Sequence, residues 1–193
     1  MPTGVAIRDV REQLFAAAER VLLRAGASGL TSRAVTEEAG VAKGVLHRHF
    51  ADFDDFLAAL VEDRIARLAD RAEALRAAAG TGTVAGNLTD ALAEIFETVA
   101  VSIVALVFAR DALRERLRRT TPAGLPLLTE AGAMLAGYLR AERDLGRIAA
   151  DADVDVLAPT LIGSGHLLAA GSGAPDAAEL RRVVTAVLGG VVA

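Results

Sequence analysis

The chain has no cysteine among its 193 residues, which excludes disulfides, thiolate chemistry and cysteine-ligated zinc. Histidine is almost as scarce. His47, His49 and His166 are the only three, and two of them share one short segment, so a metal site is not expected. Lysine occurs once, at Lys43, against a total of 21 Lys and Arg; a G+C-rich coding sequence produces that bias, so the arginines by themselves say nothing about nucleic acid. Basic residues are also outnumbered, and the formal net charge of −4 argues against a whole surface with affinity for polyanions. Any DNA contact must be local. The mean hydropathy of +0.39 is high for a soluble protein, yet long apolar runs are missing. The longest uncharged stretch, 156–175, contains Pro159, His166 and the glycines 163, 165, 171 and 173, whereas a spanning helix needs about 20 predominantly apolar residues. No membrane association is expected, and the surplus apolar surface is assigned to a dimer interface and a ligand cavity. No basic segment leads into an apolar stretch near the N-terminus, so a cytoplasmic location is expected.

No alternating apolar pattern persists over a strand length, which leaves an all-α chain. Ile7, Val10, Leu14, Ala17, Ala18, Val21, Leu22 and Ala25 recur at three- and four-residue intervals and Gly26 ends that helix. Next comes the most informative run, 30–50. Thr31 is placed to cap a short helix whose Ala34, Val35 and Ala39 face inward. Gly40 sits where the chain must turn left-handed, Val41 plugs the turn, and Lys43 to His49 form a second helix with Leu46 buried. Two short helices hinged in this way are a helix-turn-helix. Beyond it, Asp52 can cap a long helix from about Phe53 to Ala79, with Asp54 and Asp55 in its first turn. A break at 80–83 precedes helices at about 88–109, 111–119, 125–145, 154–170 and 175–188, with joints marked by Pro122, Pro126, Gly146 and 171–173. The expected total is nine helices, divided into a module of residues 1–52 and a body of residues 53–193.

The Ala39-Gly40-Val41 turn, the Lys43-Gly44 pair, Leu46 and the closing His49-Phe50 resemble the tetracycline-repressor (TetR) family of bacterial regulators; the motif match covers roughly Val10 to Leu57. The resemblance implies a cytoplasmic, homodimeric transcription regulator, expected to be a repressor, that reads palindromic double-stranded operator DNA and is released by a small hydrophobic or aromatic effector. Phosphate and groove contacts are expected from Thr31, Ser32, Arg33, Lys43, Gly44, Val45, His47, Arg48 and His49. In such proteins the last two helices form the dimer interface, which here points to Gly163, Gly165, Val183, Val184, Val187 and Leu188. The effector cavity is expected to involve Phe96, Ile103, Met134, Tyr138 and His166, an apolar lining with two polar handles. Several positions depart from the family pattern. Ala42 stands where a hydroxyl commonly caps the second helix, Val45 and His47 replace a frequent hydroxyl residue and a frequent Tyr, and Phe53 replaces the Lys that usually opens the long helix. Each change removes or alters a phosphate donor beside Asp52, Asp54 and Asp55. The alternative reading is therefore a TetR-like small-molecule binding protein with weak or no operator binding.

Nothing in the body reads as catalytic. Glu37-Glu38 and Asp54-Asp55 are adjacent on helices and diverge, and no nucleophile-base pair or cofactor motif is present, so neither an enzyme nor a cofactor is expected. Asp151, Asp153 and Asp155 suit a helix cap better than a metal. Arg110, Arg114, Arg116, Arg118 and Arg119 form a basic cluster whose simplest reading is a solvated face. Packing against the acidic residues of the module and attraction of an acidic ligand are the alternatives.

Overall fold

The computed structural model describes residues 4–119, 125–172 and 174–192. Among them are ten helices and no strand: α1 (Gly4–Gly29), α2 (Ser32–Glu38), α3 (Gly44–His49), α4 (Phe53–Ala77), α5 (Val84–Ile95), α6 (Thr98–Ala109), α7 (Asp111–Leu117), α8 (Leu128–Asp144), α9 (Val154–Ser172) and α10 (Ala177–Leu188). The expected joints at Pro122 and Gly173 lie outside the described residues. Two compact units emerge, residues 1–63 with 102–122, and residues 64–101 with 123–193.

In the first unit α1 packs on α2, and Leu14, Ala17, Ala18, Val21 and Leu22 are buried as their spacing predicts. Gly26 breaks the helix with φ 65°, a left-handed conformation that side-chain-bearing residues avoid. Phe15, Phe50 and Phe56 form an aromatic knot with ring centroids 5.1–6.0 Å apart, and the Arg11 guanidinium lies 4.6 Å from the Phe50 ring centre. Burial of each such ring contributes about 1.5–3 kcal/mol.

In the second unit α10 packs on α5 and α9, and α8 on α9 and α5. The core is largely aliphatic, but it encloses a polar network. Asn87 Nδ2 donates to the Tyr138 hydroxyl at 2.9 Å, and that hydroxyl donates to the fully buried Glu142. Glu142 also accepts the backbone N–H of Gly80 at 3.2 Å and lies 3.4 Å from Arg147. Burial, with the hydrogen bond to Glu142 second, pushes the Tyr138 hydroxyl well above its ordinary pKa.

The expected helix at 88–109 is two helices, which raises the number from nine to ten. Thr83 starts α5 earlier by accepting the Gly86 N–H at 3.0 Å. The chain then stops at Phe96, whose ring is buried so close to Gly165 that a Cβ there would collide with it. No proline or glycine announces that break. The other body helices end within about three residues of their expected limits.

Candidate nucleic-acid interface

Local chemistry builds the helix-turn-helix. Thr31 Oγ1 accepts the Ala34 N–H at 3.1 Å and caps α2. The buried Thr36 returns its hydroxyl to the carbonyls of Ser32 and Arg33. Gly40 takes φ 67°, which lets Val41 N–H reach the Thr36 carbonyl at 3.0 Å. Gln13 of α1 donates to the Ala39 carbonyl at 2.8 Å. Arg20 and Arg24, also on α1, bind Glu38 at 2.6 and 2.9 Å, and these hydrogen bonds hold the Glu38 carboxyl below its usual range.

Leu46 is fully buried and Phe50 nearly so, which fixes the inner side of α3. Lys43, Gly44, His47 and Arg48 are exposed, while Val45 and His49 are half-buried. At about 100° per residue, the four exposed positions span an arc of about 140° away from Leu46. A basic strip on a free helix face is what groove entry requires. Lys43 occupies the capping position with no side-chain acceptor, so the hydroxyl cap that Ala42 lacks is not replaced. On α2, Arg33 is exposed and pairs with Glu37 at 2.7 Å, Ser32 is half-buried, and the Thr31 hydroxyl is committed to its cap.

Two clusters that look unrelated in the sequence meet in the first unit. Arg116 binds Asp52 at 3.0 Å and Asp55 at 3.3 Å, and Arg110 binds Asp54 at 2.8 Å. The Asp55 backbone N–H donates to Asp52 Oδ1 at 2.7 Å; that bond, followed by Arg116, holds the Asp52 carboxyl below its usual range. Phe53 stacks on Phe56 at 5.7 Å, and the Arg110 guanidinium lies 5.6 Å from its centroid. The solvated-face reading of the arginine cluster is thus corrected for Arg110 and Arg116. Complementary charge blocks were the available signal.

Several expectations for the body are also corrected. Val184 and Leu188 are buried against the subunit's own core, and Gly165 lies under Phe96, so these three have no free surface for a partner. Gly163 is exposed, and Val183 and Val187 are half-buried. Tyr138 is no free polar handle because its hydroxyl is spent on Asn87 and Glu142. Ile103 belongs to the first unit, whereas Phe96, Met134, Tyr138 and His166 belong to the second. Met134 lines an open cleft of about 420 Å³ between α4 and α8, with Ile65, Leu68 and Glu130. His166 is half-buried, and its Nδ1 has no hydrogen-bond partner among the described residues. Asp153 caps α9 through the N–H groups of Asp155 and Val156, and Asp155 pairs with Arg140.

An exposed basic helix on a buttressed three-helix module is a helix-turn-helix. The sequence model of the family described as bacterial regulatory proteins, tetR family, matches residues 14–60. The whole chain is similar in fold to a TetR-family transcriptional regulator from Rhodococcus sp. (23% identity, 95% of this chain and 98% of that chain covered, TM-score 0.67). It is similar as well to the regulator FadR of Bacillus subtilis in complex with stearoyl-CoA (19%, 93% and 98%, 0.66). A third likeness is to SmeT, the repressor of a multidrug efflux pump of Stenotrophomonas maltophilia (18%, 95% and 90%, 0.65). No curated protein sequence matches the chain. The chain carries a tetR-type helix-turn-helix on a TetR-type fold.

Proposed function

We propose that this protein is a cytoplasmic, ligand-responsive transcriptional regulator that binds a palindromic operator as a homodimer and acts as a repressor, released by a small hydrophobic or aromatic molecule. The observation that carries this reading is the exposed strip Lys43, His47 and Arg48 on α3, backed by Leu46 and the aromatic knot. Lys43 and Arg48 supply phosphate or guanine contacts, Gly44 lets the backbone approach, and Val45 offers a surface for a thymine methyl. Arg33, Ser32 and Thr31 flank the backbone at the start of α2. The reading is of a binding protein and not of an enzyme, without a cofactor.

Dimerisation is supported by the outer face of α9, where Leu167 is 75% and Val156 57% exposed beside Gly163. By length and composition α9 could cross a membrane, but its inner side, with Ala158, Leu161, Ile162 and Ala169, is buried in the core. The exposed apolar half therefore suits a second copy of the chain. Leu167→Glu should convert a dimer to monomer in sedimentation. A wild-type monomer at micromolar concentration would defeat the assignment.

The decisive experiment titrates the protein against the duplex flanking its own gene. Lys43→Ala and Arg48→Ala should each weaken binding and lower the salt slope by about one. Absence of binding by folded wild-type protein would favour a ligand-binding protein without an operator.

A further inference from the structure

Three carboxylates open α4 directly beside the reading helix. Asp52 follows His49 by three residues, so the chain holds it within about 11 Å of the end of α3. That separation is close to the Debye length of about 8–10 Å at physiological salt, so unmasked charges there act on any phosphate the reading helix touches. Left alone, Asp52, Asp54 and Asp55 place three negative charges at the edge that must approach a polyanion. Two guanidiniums of the α6–α7 segment are set against them, Arg110 on Asp54 and Arg116 on Asp52 and Asp55.

We propose that Arg110 and Arg116 are positioning residues for DNA binding: they mask the carboxylates at the start of α4 from the operator backbone. The inference rests on the DNA-reading function proposed above. The pairs are only partly buried, with side chains 28–54% exposed, and pairs of this kind add little to fold stability. Their effect on an incoming polyanion is larger because each arginine removed leaves its carboxylates facing several phosphates at once. The masking is also specific within α7. Arg118 pairs with Glu115 at 3.1 Å, and Arg114 serves Asp111 and the Phe108 carbonyl, so neither touches the α4 acids in these bonds.

The test measures operator affinity of the full chain for wild type, Arg110→Ala/Arg116→Ala, Arg116→Lys and Arg118→Ala, with thermal melts alongside. The double variant should lose about ten-fold in affinity while remaining folded, with a melting temperature lowered by only several degrees, and the affinity deficit should shrink as salt rises. Arg116→Lys should retain most of the affinity, and Arg118→Ala, which removes one positive charge at the C-cap of α7, should change it by less than about three-fold. Adding Asp52→Asn/Asp54→Asn/Asp55→Asn to the double variant should restore binding, since Asn caps a helix as well as Asp. A loss that the asparagines fail to rescue, an equal loss in Arg118→Ala, or unchanged affinity in the double variant would overturn the masking role while leaving DNA reading intact. A folded wild-type chain that binds no duplex would overturn both.

Discussion

Position 53 offers the sharpest test of how this module is built, because a lysine there would restore the phosphate donor that the TetR pattern expects. Phe53 is half-buried, stacked on Phe56 at 5.7 Å, with Arg110 5.6 Å from its ring centre. Phe53→Lys removes about half of a full Phe burial, roughly 1–1.5 kcal/mol. The stacked pair adds about 0.5–1 kcal/mol, and the cation–π contact about 0.5–1 kcal/mol more. An ammonium in the first turn of a helix also opposes the dipole by about 0.3–1 kcal/mol, while new attraction to the neighbouring aspartates returns about 0.2–1 kcal/mol. The balance is a destabilisation of about 3 kcal/mol, which lowers the melting temperature of a chain of this size by about 6–12 °C. The ammonium also competes with Arg110 for Asp54, so operator affinity should not improve. Circular-dichroism melts and operator titrations over a range of salt decide the matter. A Phe53→Lys protein as stable as wild type that binds more tightly, with a salt slope steeper by about one contact, would refute the packing argument.

Gly165→Ala should destabilise by about 1–3 kcal/mol because the new Cβ meets the Phe96 ring, whereas Gly163→Ala, which meets nothing, should stabilise the subunit by about 0.5–1 kcal/mol; equal melting temperatures would contradict both placements. Tyr138 is the only tyrosine and tryptophan is absent, so tyrosinate absorbance reports this one group. Its folded pKa is raised, so its stabilising contribution is complete below about pH 10, the unfolded value, and is lost progressively above it. Tyrosinate should therefore appear together with loss of helical signal, and its appearance near pH 10 in folded protein would contradict the buried network. Thr31→Ala should cost about 1 kcal/mol through loss of the α2 cap, read as a lowered melting temperature; an unchanged melt would show that the cap is dispensable.

The helix-turn-helix was legible because its determinants are local. A capping hydroxyl at Thr31, a left-handed glycine at Gly40 and a single buried Leu46 act over three to ten residues, and each leaves a mark in the residue type it demands. All-α architecture and most helix limits were legible for the same reason, since helical periodicity and turn residues are short-range signals. The break at Phe96 was not. The Phe96 ring at that point is seated on Gly165, 69 positions away in the chain, and no proline or glycine in the residues around 96 marks a stop.

Periodicity likewise shows that α10 has an apolar stripe but not what covers it. Val184 and Leu188 suit an intersubunit contact by pattern, yet both are buried within the same chain, whose α5 and α9 pack on α10. Tyr138 carries a hydroxyl in the sequence; only the packing of α8 spends it on Asn87 and Glu142. The arginines of α7 and the aspartates of α4 stand as separate charge runs until the fold pairs residues 116 and 52 across 64 positions. Residue types by themselves determined that this chain is helical and that it carries a helix-turn-helix whose second helix is basic. Tertiary structure alone decided which apolar and charged groups remain free, because burial and ion pairing depend on which distant segment arrives, and short-range sequence signals do not encode that meeting.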